Sequence, residues 1–317
     1  MSSVTTSAGH APDPFRIVAR YSASSLGLRQ PLDLAVGPDG NVYVTDASDS
    51  VTVVSPAAKV LRRWGKKGSG PGEFSFDDPT QPGNLFAPIE VGPDGRVYVA
   101  DRGNHRVEAF SSTGRFIRQF GSFGTGRGQF VGIGGVAVDS EGDVYIADDQ
   151  QGTLSKFSPA GHFEWSIGGP ATTDPALQGQ FALANVDAHG RVVAGVNGAL
   201  RVVYVDAGGH KVDAFGLNGY FRNGWAPCDV TVDGQGNVAV QSCPDAGQPV
   251  PGVPSYRATL LFDRSHHLIG AWYGNPLSNF VGPHFGPRGE IFAIGAELHT
   301  GHPGGSILKL RVALSGA

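Results

Sequence analysis

Five polar side chains stand at one recurring place in this 317-residue chain, five or seven residues ahead of a glycine that closes a short turn. They are Asp33, Glu90, Asn185, Asp229 and His284, ahead of Gly40, Gly95, Gly190, Gly236 and Gly289. His284 lies in GPHFGPRGEIF (282–292), among small and apolar residues. Brought together, three carboxylates and an amide oxygen offer the ligand set of calcium, and the imidazole extends the choice to zinc, manganese or iron. Without a metal, His284, Glu90 and Asp229 are the candidate catalytic groups, His284 as a base near neutral pH. Carboxylates gathered away from water lose hydration and repel one another. A divalent cation compensates for this, and so does a water-filled channel in which each side chain bonds to solvent and backbone. No organic cofactor is expected.

Two smaller sets have chemistry of their own. Cys228 and Cys243, the only cysteines, flank one hairpin. Paired about its turn, Cys228 faces Ser242 and lies diagonal to Cys243, so a disulfide is expected with a slight bulge; two buried thiols are the alternative. A disulfide suits an oxidising compartment. His299 and His302, near Glu297, have an H-x-x-H spacing, but on a loop rich in glycine and proline solvent exposure is the expectation rather than a metal site.

The elements that must position these groups are strands. With 48 glycines and 22 prolines, and hardly any apolar residues at helical spacing, the chain is dominated by alternating runs such as NVYVTD, RVYVAD and DVYIAD. Six strand–turn–strand units centre on PDG (38–40), PDG (93–95), SEG (140–142), AHG (188–190), GQG (234–236) and PRG (287–289), 46 to 55 residues apart. That period is one four-stranded propeller blade. In the second unit, strands A to D, counted outward from a central channel, are PIEV, RVYVAD, RVEAF and FIRQFG. The sixth unit ends at its C strand (SILKLRVAL). FRIVARY (15–21), followed by SASSLGLRQP, matches FIRQFG followed by SFGTGRGQF, and is expected to supply the missing D strand and close the ring. The expected fold is all-β, a six-bladed β-propeller with four-stranded blades, preceded by a disordered segment over 1–13 and forming one domain over 14–314.

Registered on the turn glycines, the A strands carry apolar residues at one parity (Leu34 and Val36, Ile89 and Val91, Val230 and Val232) and the five polar residues at the other. Alternate residues of a strand point to opposite sides, so Asp33, Glu90, Asn185, Asp229 and His284 are expected to converge on the channel. The insertions 64–88, 242–256 and 295–305 all fall on the face of the B–C loops and D–A crossovers, which marks it as the working face. His162, His189, His210, His266 and His267 belong to turns of the other face and are expected to be solvated. Arg62, Arg63, Lys66 and Lys67 are expected on a solvated loop.

VGPDGRVYVADRGNHRVEAFSSTGRFIRQFG (91–121) resembles an NHL repeat, and the resemblance, weaker in the last three blades, runs from about residue 15 to 314. It implies that His105, between Asn104 and Arg106, stabilises its blade. The channel resembles that of gluconolactonase-type and strictosidine-synthase-like propellers, where Glu, Asn and Asp of different blades hold a metal. The three channel histidines of a peptidyl-hydroxyglycine lyase are missing, leaving His284 alone. Such propellers include protein- and RNA-binding platforms as well as lyases and lactonases. Two classes of function stand open: a stand-alone hydrolase or lyase, metal-assisted, acting on a small molecule at the channel mouth, or a non-catalytic platform for a peptide or protein on the same face. A chain that is propeller from end to end favours the enzyme.

A net charge of −4 gives no broad basic surface for nucleic acid or anionic lipid, and no apolar run reaches the length of a membrane span. The expected partners are a small-molecule substrate or a peptide, met by a monomer. MSSVTTSAGHAPDPF has no basic segment followed by an apolar one, so the chain as written reads as cytoplasmic, and as secreted if a leader has been removed.

Overall fold

The computed structural model describes residues 15–78, 85–220, 225–244, 258–273, 279–286, 289–296 and 305–312. They form six four-stranded antiparallel sheets. The innermost strands, in blade order, are Pro31–Val36, Ile89–Val91, Ile133–Val138, Phe181–Val186, Trp225–Val232 and Asn279–Phe285. Each contacts the next, and the sixth returns to the first, so the ring is closed. Closure is made as the sequence predicts. Phe15–Ser22 is the outermost strand of blade 6, paired antiparallel with the C strand from Phe15↔Val312 to Ser22↔Ser306. Among the described residues no helix is long and apolar enough to cross a membrane.

The expectation that one parity of each inner strand faces a core and the other faces the channel is corrected by the packing. The blades stand face to face, and both faces are buried. Leu34 packs with Val42, Val44 and Val54 against Phe292, Ile294 and Ile307 of blade 6. Its neighbour Ala35 packs with Tyr43, Val51 and Val53 against Ile89, Val97, Val99 and Phe110 of blade 2. The apolar parity thus faces the preceding blade and the polar parity the following one. This is why the second strands read as unbroken buried runs, VYVTD and VYVAD among them. Phe110 and Phe157, at the centres of two of these interfaces, are 1% and 2% exposed and each contributes about 1.5–3 kcal/mol through burial.

A second contact between blades sits in the short C–D turns. Gly114 has φ +83°, and a Cβ there would come within 2.7 Å of the Trp64 ring of the preceding blade; Gly209 abuts Trp165 in the same way. In blade 5 a histidine takes this left-handed position: His266, φ 65°, lies 4.5 Å from the Phe215 ring and 5.5 Å from that of Tyr204. His266 is therefore packed, against the expectation of solvation, whereas His162, His189, His210 and His267 are exposed. The basic patch also differs from expectation: Arg62 and Arg63 lie on the outer strand Val60–Trp64, where Arg63 donates to Thr52 Oγ1 and to the Gly27 carbonyl.

The Asn104-His105-Arg106 element is structural, as its resemblance implies. Arg106 donates to Asp101 and to the carbonyls of Ser69, Gly70 and Glu73, clamping the start of the 64–88 insertion, and His105 Nδ1 lies 3.0 Å from the Val131 carbonyl oxygen.

Candidate active site

An innermost strand has no strand beyond it, and its channel-side N–H groups need other partners. Three of the five candidate residues provide them. Asp33 Oδ1 accepts from the Leu34 N–H at 2.8 Å, Glu90 Oε1 from Val91 at 2.8 Å, and Asn185 Oδ1 from Val186 at 2.9 Å. Asp33 Oδ2 also accepts from the Ile89 N–H of blade 2 at 3.0 Å, as its parity toward the following blade requires.

The same parity brings His284 of blade 6 to Asp33 of blade 1, Nε2 to Oδ1 3.6 Å, with the side chains 17% and 13% exposed. The charges of Glu90 and Asp229 also act on His284. Asp229, His284, Asp33 and Glu90 therefore form an arc over blades 5, 6, 1 and 2, in that order round the ring. Asn185, on blade 4, accepts its own Val186 N–H as Asp33 and Glu90 accept theirs. Register shifts fall just before Asp33, Asp229 and His284; a bulge there re-aims the side chain relative to a regular ladder.

Burial pushes the Glu90 carboxyl up to about 7, and the Asp33 charge adds to this, while His284 and the Val91 N–H oppose it. Burial alone would lower His284, but the contact with Asp33 and its charge, followed by the charges of Glu90 and Asp229, raise it to about 9. Between these values Glu90 is the proton acceptor and His284 an imidazolium donor. These directions favour His284 as a proton donor over the base role read from the sequence. The arrangement gives the metal reading no support: among the described residues no group of three or more His, Cys, Asp or Glu side chains is arranged to hold an ion, and both Asp33 oxygens accept N–H groups. No step below runs through a metal.

Sequence reading did not single out Arg102. Almost wholly buried, it donates to Asp78 of the 64–88 insertion at 3.1 Å, to both carboxylate oxygens of Asp149 on blade 3 at 3.0 and 3.1 Å, and to the Ile133 carbonyl at 2.8 Å. It ties the insertion at Asp78 to blade 3. No repeat pattern could have marked it, because its partners lie 24 to 47 residues away. Cys228 occupies the bulge between Pro227, paired with Ser242, and Asp229, paired with Gln241; it is disulfide-bonded. The Cys243 side chain and Glu297, His299 and His302 lie outside the described residues.

With the ring and its channel in place, the chain is defined as a six-bladed β-propeller, and comparison with known proteins agrees. Residues 89–176 match a family model described as a 6-bladed beta-propeller, DUF5128. The chain is 34% identical over 110 residues to mouse peptidyl-glycine alpha-amidating monooxygenase, 32% of this chain and 10% of that protein. It is 29% identical over 101 residues to human NHL repeat-containing protein 3, 30% of this chain and 26% of that protein. It thus spans between a tenth and about a quarter of these relatives' lengths. A catalytically inactive histidine-to-alanine variant of virginiamycin B lyase from Staphylococcus aureus, solved with quinupristin, superposes with a TM-score of 0.56 at 10% identity, over 94% of this chain and 100% of that one. At that identity the likeness is one of fold.

Proposed function

We propose that the chain is an enzyme acting on a small molecule at the channel mouth, by hydrolysis or elimination, with Glu90 as general base and His284 as general acid. The observation that carries this reading is the pairing of a buried carboxyl displaced to about 7 with an imidazole held charged up to about 9; displaced groups of complementary role in one cleft are the mark of acid–base sites. In an elimination, Glu90 takes the proton from a carbon next to a carbonyl, that electron pair forms the new double bond, the carbon–oxygen bond breaks, and His284 protonates the leaving oxygen. In a hydrolysis, Glu90 takes a proton from water as the water adds to the ester carbonyl; the tetrahedral adduct then collapses, the acyl carbon–oxygen bond breaks, and His284 protonates the leaving alcohol oxygen. Asp33 and Asp229 keep His284 charged. A lyase among proteins of the same fold supports this class of chemistry.

The test is turnover of a panel of nitrophenyl esters, lactones and depsipeptides across pH, with Glu90→Gln beside the wild type. Activity is expected to rise through about pH 7 and fall through about pH 9, and Glu90→Gln is expected to lose at least about 100-fold. Its folding should not suffer. A carboxyl whose folded pKa is raised contributes stability that is complete below its unfolded value and lost as pH rises through about 7, so at pH 8 the amide should melt no lower than the wild type. Undiminished activity in Glu90→Gln defeats the assignment, and absence of turnover across the panel favours a binding platform.

A further inference from the structure

Glu90, Asn185 and His284 stand at one level of the channel. In the even-numbered blades the last pair before the A–B turn is Val91↔Val97, Val186↔Val192 and Phe285↔Ile291, and each of the three polar residues comes immediately before that pair on its inner strand. Ala35, Ala137 and Thr231 hold the same place in blades 1, 3 and 5. In a closed ring of six sheets, blades 2, 4 and 6 lie a third of a turn apart. The three side chains therefore mark the corners of a triangle about the channel. Glu90 and His284, two blades apart, act on each other's charge. Asn185 is two blades from each.

Asn185 is held there by its oxygen. The Asp187 N–H bonds to the Arg191 carbonyl across the turn, so by the alternation of an antiparallel strand the Val186 N–H points away from the second strand, into the channel. Asn185 Oδ1 accepts it at 2.9 Å. Because that partner is a donor, the atom facing it is the oxygen of the amide, and Nδ2 is turned away from the strand. Asn185 is partly exposed. Its Nδ2 bonds to nothing among the described residues and is not one of the buried atoms lacking a partner, so its two N–H bonds open onto the channel. Capping the backbone does not require them, since Asp33 and Glu90 do the same with carboxylates. What an amide adds at this position is a donor.

Acid–base chemistry on a carbonyl compound needs such a donor. In the elimination, the electron pair of the broken carbon–hydrogen bond gathers on the carbonyl oxygen before it forms the new double bond. In the hydrolysis, the same oxygen carries the charge of the tetrahedral adduct until the adduct collapses. Glu90 and His284 move protons at other atoms of the substrate, and the charges of Asp33 and Asp229 repel an oxyanion. We propose that Asn185 is the third catalytic residue of this site, donating from Nδ2 to the carbonyl oxygen on which negative charge develops. Asn185 takes this role on the acid–base reading of Glu90 and His284, and its neutral donor narrows the substrates to those with an uncharged carbonyl: an ester, lactone, ketone or amide. A carboxylate in that place would have to gain a second negative charge close to Asp33 and Asp229, which one amide does not offset.

The test uses the full chain and δ-valerolactam, an unreactive lactam whose carbonyl stands in for that of a lactone. The side-chain amide of Asn185 is followed by proton–nitrogen NMR and assigned by its absence in Asn185→Asp, which keeps an acceptor for the Val186 N–H and removes the donor. Saturation with the lactam is expected to move the Asn185 signal in the wild type and in Glu90→Gln alike. Asn185→Asp is expected to bind the lactam about 3- to 10-fold more weakly, the share of one hydrogen bond. With an ester or lactone that the wild type turns over, Asn185→Asp and the uncharged Asn185→Leu are both expected to lose about 100- to 1000-fold in kcat. An Asn185 signal that stays in place, a lactam that binds Asn185→Asp as tightly as the wild type or binds neither, or a variant with undiminished kcat overturns the role of Asn185. A lactam-dependent shift of that signal together with full activity in Glu90→Gln upholds Asn185 as the seat of the carbonyl and defeats only the acid–base assignment, so the two failures are distinguishable.

Discussion

Replacing Asp33 by asparagine removes the charge that sets the protonation of His284 while keeping the shape of the side chain. The rise of His284 from 6.5 to about 9 corresponds to roughly 3.4 kcal/mol of preference for the imidazolium, at 1.36 kcal/mol per pH unit. At the 3.6 Å separation of Nε2 and Oδ1, unit charges in an effective dielectric near 20 attract by roughly 4.6 kcal/mol. Asp33 alone is therefore large enough to carry the rise against the opposing effect of burial, and in Asp33→Asn the His284 midpoint should fall to about 7 or below. The variant will also be less stable, because an asparagine keeps one carbonyl oxygen for the two N–H groups of Leu34 and Ile89, and one of them loses its acceptor at a cost of about 1–3 kcal/mol. The readout is therefore the ring of His284 itself, titrated by proton–nitrogen NMR and assigned by its absence in His284→Gln. The sign of the linked stability follows from the direction of the shift. A histidine whose folded pKa is raised contributes stability that is complete below its unfolded value of 6.5 and lost as pH rises through about 9, so wild-type melting should decline across that window and the decline should flatten in Asp33→Asn. A variant midpoint within about half a unit of the wild type, well inside the ~1-unit spread of folded-state values, would refute the coupling and the acid role built on it.

Deleting residues 1–22 removes the strand paired along Ser306–Val312 and leaves blade 6 with an open edge; lower melting and concentration-dependent association are expected in scanning calorimetry and light scattering, and an unchanged monomer with unchanged melting would contradict strand closure. The oxidised Cys228 is proposed to pair with Cys243, closing a 15-residue loop that stabilises by about 3 kcal/mol. No thiol should titrate in native protein purified without reductant, reduction should lower the melting point, and two titrating thiols would dispose of the bridge.

The ring was legible in the sequence because its causes are local and repeated. A glycine in each A–B turn, two-residue alternation on either side and a period near 48 residues specify a four-stranded blade without reference to any other part of the chain, and the strand left over at one terminus is the strand missing at the other. The residues of the site were legible for the same reason: turn glycines provide the register, and the register picks out Asp33, Glu90, Asn185, Asp229 and His284. Their chemistry was not, since it depends on what the following blade presents. Only the face-to-face packing of the sheets decides that His284 meets Asp33 across the closure of the ring and that Glu90 is buried deeply enough to titrate near neutrality. Burial and charge act through space between residues up to 251 positions apart, as Asp33 and His284 are, and periodicity along a chain carries no record of that distance.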